Sequence, residues 1–341
     1  MNQIAFIFGE TTVYWSSLVI AAAILTAILA AVSIRLWRKE PMLPLLLFIP
    51  LALVLSILCA RFIHWYCRAD QYSSFSAAFR EFTGGGYALL GVFVGCFAAA
   101  LLVRALRLTD DLPSLLDSIA PAAALGISLG RLSHLFDSVS RGKILIEKEV
   151  NRRLPLGSPV VNPTNGTTQW RFATFFFQSI LAFVIFILLL ILTVRMLRLA
   201  REKKKDSRGM TFLLFLMMYF STQIILDSTR YDALFLRSNG FVSLEQIFGI
   251  VVIVAVAVIF SIRSVKLCEF RVWHAVIWAL MLGCFGGTGY MEYYVQRHGS
   301  LYLMCYGIMS ACLLAAGLLA YRLCLTGICG VRKKKRGLYQ R

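Results

Sequence analysis

Nine long apolar runs follow one another along the chain, at 15–35, 41–61, 85–104, 113–131, 172–194, 210–227, 242–262, 272–291 and 300–322. A bilayer core about 30 Å thick is crossed by about 20 apolar residues in a helix. The pattern therefore predicts an all-α polytopic integral membrane protein with about nine transmembrane helices. The first run is not a signal peptide, because it lacks a basic front and basic residues follow it without a clear cleavage site. The fourth run is the least hydrophobic. It opens with Asp110-Asp111-Leu112-Pro113-Ser114, where acid and proline suit a first helical turn. It carries Asp117 and leads into Arg131 and His134. No internal repeat of the inverted-repeat transporter kind is visible.

Composition agrees with lipid as the main solvent. Of 341 residues, 59% are hydrophobic and 15% charged, and the mean hydropathy is +0.75. The net charge is +18. In a soluble chain that would suggest nucleic acid, but here the basic residues flank apolar runs and no aromatic-interleaved basic face exists, so nucleic acid is not expected as a partner. Most of the 35 Lys and Arg residues follow the odd-numbered runs: Arg35, Arg38 and Lys39; Arg104 and Arg107; a cluster from Arg195 to Arg208 that includes Lys203–Lys205; Arg263, Lys266 and Arg271; and Arg322 with the tail Arg332–Arg336 and Arg341. The positive-inside rule then sets the N-terminus outside and the C-terminus in the cytoplasm of a bacterial cell membrane. On that reading residues 132–171 form an outer loop. The chain divides into a core at 1–265, two further helices at 266–325 and a basic tail at 326–341. The nine cysteines show no C-x-x-C pair and read as small buried hydrophobes, so no metal or cofactor is expected. Cys324 and Cys329, near a cytoplasmic helix end, are candidates for acylation. Asn165-Gly166-Thr167 fits a glycosylation sequon, which matters only in a host that glycosylates.

Polar residues at helix ends mark candidate chemistry, because charge in a membrane is costly. Gly84-Gly85-Gly86-Tyr87 opens the third run, where glycines would expose backbone N–H groups to an anion. Gly91 and Gly95 continue a small-residue pattern better suited to helix packing. In the segment from Gly126 to Asp137, Gly126 and Gly130 suggest close packing, and Arg131 sits at the outer interface. His134 and Asp137 share a face, either as a general base with its orienting acid or as a structural pair. Gln223, Asp227, Arg230 and Asp232 form a stripe ending the sixth run. Glu245 and Gln246 open the seventh, and Glu245 wants Arg131 or Arg230 as its partner. All lie at outer ends, so one outward pocket with two arginines is the economical reading. Arginine grips phosphate in bidentate fashion, and such a pocket in a membrane is a phospholipid-headgroup site.

At these residues the chain resembles the prolipoprotein diacylglyceryl transferase family. The similarity runs over roughly 15–265 and takes in the Gly-rich motif, Asp117 to Pro121, Leu125-Gly126, Gly130-Arg131, Arg171 to Gln178, Tyr219 to Arg230, and Ser243 to Ile247. It implies seven spans with an outer N-terminus, phosphatidylglycerol and prolipoprotein signal peptides as partners beside membrane lipids, and transfer of diacylglycerol to a lipobox cysteine. Arg131, Arg230 and Gln246 match the family. The family's Gly-Asn-Phe and later Asn and Glu become Ser133-His134-Leu135, Asp137 and Val139. Its histidines fall near Gly86 and Tyr87 and at Phe172, and its sixth-span Arg and Glu become Gln223 and Asp227. The resemblance thus keeps a phosphate site and replaces the proton-handling residues. Together with the polar residues read above, it sets the expected catalytic residues as Arg131, His134, Asp137 and Arg230, and the expected substrate-binding residues as Gly85, Gly86, Tyr87, Gln223, Asp227, Glu245 and Gln246. The alternative is a non-catalytic membrane protein that retains the headgroup pocket.

Overall fold

The computed structural model describes residues 3–8, 11–80, 85–161, 166–203, 207–236, 239–299 and 301–329. Gly84, Asn165, Lys204, Lys205 and the tail from 330 onward lie outside these, as do the side chains of Lys203 and Cys329. A hairpin of β1 (Ile4–Phe8) and β2 (Thr11–Tyr14) runs directly into α1 (Trp15–Arg38). Next come α2 (Leu43–Cys67), the short α3 (Phe75–Arg80), α4 (Leu89–Ala105) and α5 (Leu112–Arg131). The longest loop contains the hairpin β3 (Gly157–Val161) and β4 (Thr168–Phe172), and α6 (Thr174–Lys203) and α7 (Met210–Ser228) follow. A last hairpin, β5 (Phe235–Leu236) and β6 (Asn239–Ser243), precedes α8 (Leu244–Cys268), α9 (Val272–His298) and α10 (Tyr302–Cys329).

Each apolar run falls on a helix. Among the described residues, eight helices are long and apolar enough to cross a membrane, and α4 is a shorter apolar one of 17 residues. At 1.5 Å per residue α4 is about 26 Å long. The sequence predicts its start at residue 85, but the helix begins at Leu89. Gly85 and Gly86 instead adopt left-handed φ values of +78° and +80°. They turn their carbonyls to the buried Arg61, whose Nη1 donates to both, at 3.0 Å for Gly86. They are therefore not the anion-binding helix N-terminus that the sequence predicts. Further along α4, a Cβ on Gly91 would collide with the backbone of Ala60, and one on Gly95 would lie 2.5 Å from Ser56 Cα. These two glycines let α4 lie against α2, as the small-residue pattern predicts. Gly126 does the same toward Ala27 of α1, whereas a Cβ on Gly130 would meet only ordinary contact at 3.9 Å.

The main hydrophobic core joins α5, α6, α7, α8 and α10 through residues such as Leu189, Phe215, Tyr219, Phe260, Met309 and Leu323. So α10 shares its core with α7 and α8, and α9 packs against α10. The pair also reaches the polar end of α7. Tyr306 of α10 hydrogen-bonds Ser228 at 3.2 Å, and Lys143 Nζ of the long loop donates to Gln296 of α9 at 3.4 Å.

At the opposite end, the turn between α1 and α2 is fixed by Glu40. It receives Arg38 at 2.8 Å, Ser114 at 2.5 Å and Ser118 at 3.0 Å, which ties α1 to α5. Here α7 begins at Gly209, which has no side chain to cap the helix. The free N–H groups of a first turn need acceptors. Asp117 of α5 supplies them from a neighbouring helix, accepting from Gly209 N at 2.7 Å and Phe212 N at 2.9 Å. Asp117→Ala should lower stability by about 1–3 kcal/mol, the usual cost of leaving buried donors unpaired, and Asp117→Asn should lose less. Thermal unfolding of the purified protein in detergent checks this; an unchanged transition for the Ala variant overturns it.

Candidate functional site

At the end of the bundle where α5, α7 and α9 finish, polar side chains gather around one buried guanidinium. The last turn of α7 contributes Asp227, and the chain then turns tightly, with Arg230 N bonded to Asp227 O at 3.1 Å. That turn folds Arg230 back over the helix end. Its Nη1 lies 3.0 Å from Asp227 Oδ1 and 3.7 Å from Glu245 Oε2, and its Nε donates to Asp232 Oδ1 at 3.1 Å. Burial opposes the charge on Arg230, but the three acids outweigh it and hold the guanidinium above its ordinary range. Burial also opposes ionisation of Asp232, yet Arg230 holds that carboxyl below its usual range. Glu245 thus has Arg230 as the partner that its sequence position requires.

The start of α8 is built on the same cluster. Ser243 and Gln246 form a reciprocal capping box, at 3.0 and 3.2 Å. The Ser243 hydroxyl also donates to Asp227 Oδ2. Gln246 Nε2 reaches the carbonyl of Ile224 at 3.0 Å, so both ends of its amide are engaged within the protein. Gln223 accepts a hydrogen bond from Gln178 of α6 at 3.1 Å.

Arg131 ends α5 and joins this cluster through Ser140. Its Nη1 donates to Ser140 Oγ at 3.3 Å, and Ser140 N donates to Asp232 Oδ2 at 2.8 Å. Ser140 holds a left-handed φ of +57°, uncommon for a residue with a side chain. That backbone position carries the link from Arg131 to Arg230. The fields of both arginines reach Tyr219, His134 and Glu245. The structure therefore brings Arg131 and Arg230 to one place, as the economical reading requires. Arg131 is 7% exposed, its side chain also reaches the Tyr219 hydroxyl, and its Nε and Nη2 have no closer hydrogen-bond partner.

After Arg131 the chain tightens into a 3-10 turn over Leu132–Leu135. Asp137 lies two residues past the end of that turn, and His134 Nδ1 lies 3.0 Å from both of its carboxylate oxygens. Asp137 also accepts from Val139 N at 2.8 Å, which fixes the acid. With Nδ1 held, Nε2 is the nitrogen left to take a proton. The side chains of His134 and Asp137 are 18% and 31% accessible, against 9% for Arg230. This pair is the open edge of a closed cluster.

Gly85, Gly86 and Tyr87 gather elsewhere, around Arg61. That guanidinium also donates to Ala78 O at 2.6 Å and lies over the rings of Tyr72 and Tyr87, at 5.2 and 5.4 Å. The sequence pattern does not single out Arg61, which reads as one basic residue near a helix end. It also passes over Ser140 and Arg141. Arg141 is 2% exposed, stacks on Phe175 at 4.3 Å, and donates through Nη2 to the carbonyls of His134 and Asp137, at 2.9 and 2.7 Å. In a polar loop an arginine reads as solvated, and nothing local marks it as buried.

The sequence profile of the prolipoprotein diacylglyceryl transferase family matches residues 3–262. The chain belongs to that family. It is similar to the phosphatidylglycerol–prolipoprotein diacylglyceryl transferase of Bacillus licheniformis, at 25% identity over 269 residues covering 78% of this chain and 94% of the relative. The Bacillus velezensis enzyme is 26% identical with coverage of 78% and 93%, and the Lysinibacillus sphaericus enzyme 28% identical with coverage of 74% and 89%. Family membership and the apolar helices together make this a multi-pass bacterial membrane protein. All of the Arg230 cluster lies inside the matched segment, and α9 and α10 lie beyond it.

The cluster predicts how Arg230 responds to change. Arg230→Ala leaves three facing carboxylates without their cation and should destabilise the fold by about 3–5 kcal/mol. Arg230→Lys should recover only part, because one ammonium cannot reproduce contacts made through both Nε and Nη1. Unfolding midpoints of the two variants check this; equal and wild-type-like midpoints overturn the assignment.

Proposed function

We propose that the chain transfers a diacylglyceryl group from phosphatidylglycerol to the lipobox cysteine of a prolipoprotein, at the outer face of the membrane. The observation that carries this reading is one site with two halves. Arg131 offers unpartnered guanidinium donors beside the Arg230 cluster, and the His134–Asp137 pair stands next to it with an open ring edge.

The reaction needs two things from the protein. The cysteine thiol, with an ordinary pKa of about 8.5, must lose its proton, and the departing phosphate must be stabilised. In this reading His134 Nε2 accepts the thiol proton while Asp137 orients the ring. The sulfur forms a bond to the glycerol carbon, the carbon–oxygen bond to phosphate breaks, and glycerol phosphate leaves with the electron pair. Arg131 donates to the phosphate, and Arg230 keeps Asp227 and Glu245 from repelling it. Gln223 and Gln246 shape the wall, and Gly85, Gly86 and Tyr87 border the lipid on the α4 side. Residues 1–265 form the transferase core, and 266–325 brace it through α10, with the basic segment 326–341 as a tail. The direct test is incubation of the purified protein with phosphatidylglycerol and a lipobox peptide, followed by mass spectrometry for the diacylglyceryl thioether. If wild type forms none while still binding phosphatidylglycerol, the non-catalytic headgroup-binding alternative replaces this reading.

His134 separates a base from a hydrogen-bonding side chain. If it takes the proton, His134→Asn lowers transfer by about two to four orders of magnitude, the usual size of general-base catalysis. Initial rates of thioether formation decide it, and a wild-type-like rate removes His134 from the mechanism, leaving Tyr87 as the next candidate.

The bias of basic residues supports an outer N-terminus and cytoplasmic Lys203–Lys205, with 140–170 outside. A cysteine introduced at Lys204 should stay unlabelled by an impermeant thiol reagent in intact cells. Labelling there reverses the orientation.

A further inference from the structure

Family resemblance assigns the phosphate to Arg131 and Arg230, but the two differ in what they have free. Arg230 is enclosed by Asp227, Asp232 and Glu245, at 3.0, 3.1 and 3.7 Å. Its charge is already matched by acids from three segments of chain. Arg141 differs: Asp137 and Asp232 lie near enough to act on its charge, but its hydrogen bonds go to carbonyl oxygens. It is 2% exposed, and Nη2 alone has acceptors, the carbonyls of His134 and Asp137. Its Nε and Nη1 are buried with no hydrogen-bond partner, as are Nε and Nη2 of Arg131. Buried donors are ordinarily satisfied, and a guanidinium with two idle nitrogens calls for an acceptor from outside the chain.

The two arginines hold the two ends of one short loop. Arg131 begins it and donates to Ser140 Oγ at 3.3 Å, and Arg141 follows Ser140 and bonds back to His134 O at 2.9 Å. The turn carrying the His134–Asp137 pair lies between the two arginines in sequence, and Arg141 bonds its carbonyls. The Phe175 ring lies 4.3 Å from the Arg141 guanidinium carbon, a contact that consumes no donor.

We propose that Arg141 is a phosphate-binding residue, and that it works with Arg131 as the pair of donors gripping the phosphodiester of the lipid substrate, while Arg230 is the cation that holds the acids in place. The ligand class is a glycerol-linked phosphate. This rests on the transfer reading for the identity of the lipid, though not for the presence of the anion site. Nε and Nη2 of Arg131 share one edge of its guanidinium, the geometry that meets two phosphate oxygens, whereas Nε and Nη1 of Arg141 lie on different edges and each offers a single donor.

The test uses full-length protein in phosphatidylcholine nanodiscs, titrated by calorimetry with glycerol 1-phosphate and with glycerol as the uncharged control. A second arm measures how thioether formation depends on the phosphatidylglycerol content of the disc. Arg141→Gln keeps an amide N–H for the loop carbonyls and removes the charged fork. Glycerol phosphate should bind this variant roughly ten- to a hundredfold more weakly, the range for hydrogen bonds to a charged group. The phosphatidylglycerol needed for half-maximal transfer should rise with it. A loss in both arms, or in the lipid arm alone, supports the proposal, the second placing the contact on the diester rather than on the free anion. A folded Arg141→Gln protein with wild-type affinity and a lower maximal rate overturns it, since Arg141 would then only position the loop. Equal losses for glycerol and glycerol phosphate also overturn it. If Arg141→Gln does not fold, Arg141→Lys decides, and unchanged affinity for glycerol phosphate in that variant counts against the proposal. Wild-type binding of glycerol phosphate without any thioether product defeats the transfer reading alone and leaves the Arg141 comparison intact.

Discussion

Three carboxylates and one guanidinium, with Asp227 and Arg230 at their buried centre, hold the polar end of this bundle together. Asp227 comes from α7, Asp232 from the turn beyond it and Glu245 from α8, and Arg230 touches each. Without the cation, three acids would face one another with little water to screen them. With it, they become attachment points: Asp232 holds Ser140 of the long loop, and Asp227 holds Ser243 at the cap of α8. The backbone follows the same lines. Gly142 bridges to Arg230, and Lys143 N bonds to Thr229 O at 2.7 Å. A buried ion pair is weak evidence for stability in itself, but removing one member of such a pair is costly. That asymmetry makes Arg230 a structural requirement whatever else it does.

Much of this fold is legible in the sequence, because lipid imposes a simple code. Long apolar runs must become helices there, and the runs do coincide with helices. The glycines of α4 that face Ala60 and Ser56 are legible too, since small residues four apart mark close helix contact. The stripe of Gln223, Asp227 and Arg230 reads correctly as polar residues on one face at a helix end. The exceptions share a cause. The start of α4 shifts to Leu89 because Arg61, some 25 residues earlier in the chain, draws the carbonyls of Gly85 and Gly86 toward itself. Ser140 and Arg141 matter because of what surrounds them in space. A loop sequence carries polarity and turn signals but no record of which side chains become buried. Gln246 is matched to the family by residue type, yet its amide is occupied by a capping box and a carbonyl of α7. Residue type alone does not distinguish a side chain that faces substrate from one that builds the wall behind it.

The unequal engagement of the arginines follows from packing. Arg131, Arg141 and Arg230 are all buried, but only Arg230 emerges at a point where two helix ends and a turn all bring acids. Arg131 leaves α5 facing hydroxyls, and Arg141 is sandwiched between an aromatic ring and carbonyl oxygens. Their hydrogen bonds go to neutral acceptors, and the carboxylates of Glu245, Asp137 and Asp232 act on their charges without being bonded to them. Donors that the protein leaves unused attract anions, and here they lie beside an imidazole held by a carboxylate.

The cap that Asp117 places on α7 has a consequence for how the chain is made. Asp117 lies 92 residues ahead of Gly209 and 95 ahead of Phe212, so α5 leaves the ribosome well before the helix that it caps. In the interval an acid one turn and a half inside an apolar helix must enter the membrane without its final partners, at an insertion cost of about 2.5–3.5 kcal/mol on translocon scales. What is already present is α1, whose Arg38 donates to Ser114 and Ser118 on the same stretch of α5, each at 3.4 Å. The first helix of the nascent chain therefore offers that acid a nearby cation while α6 and α7 are still being synthesised, and the order of translation matches the order in which the charges find one another.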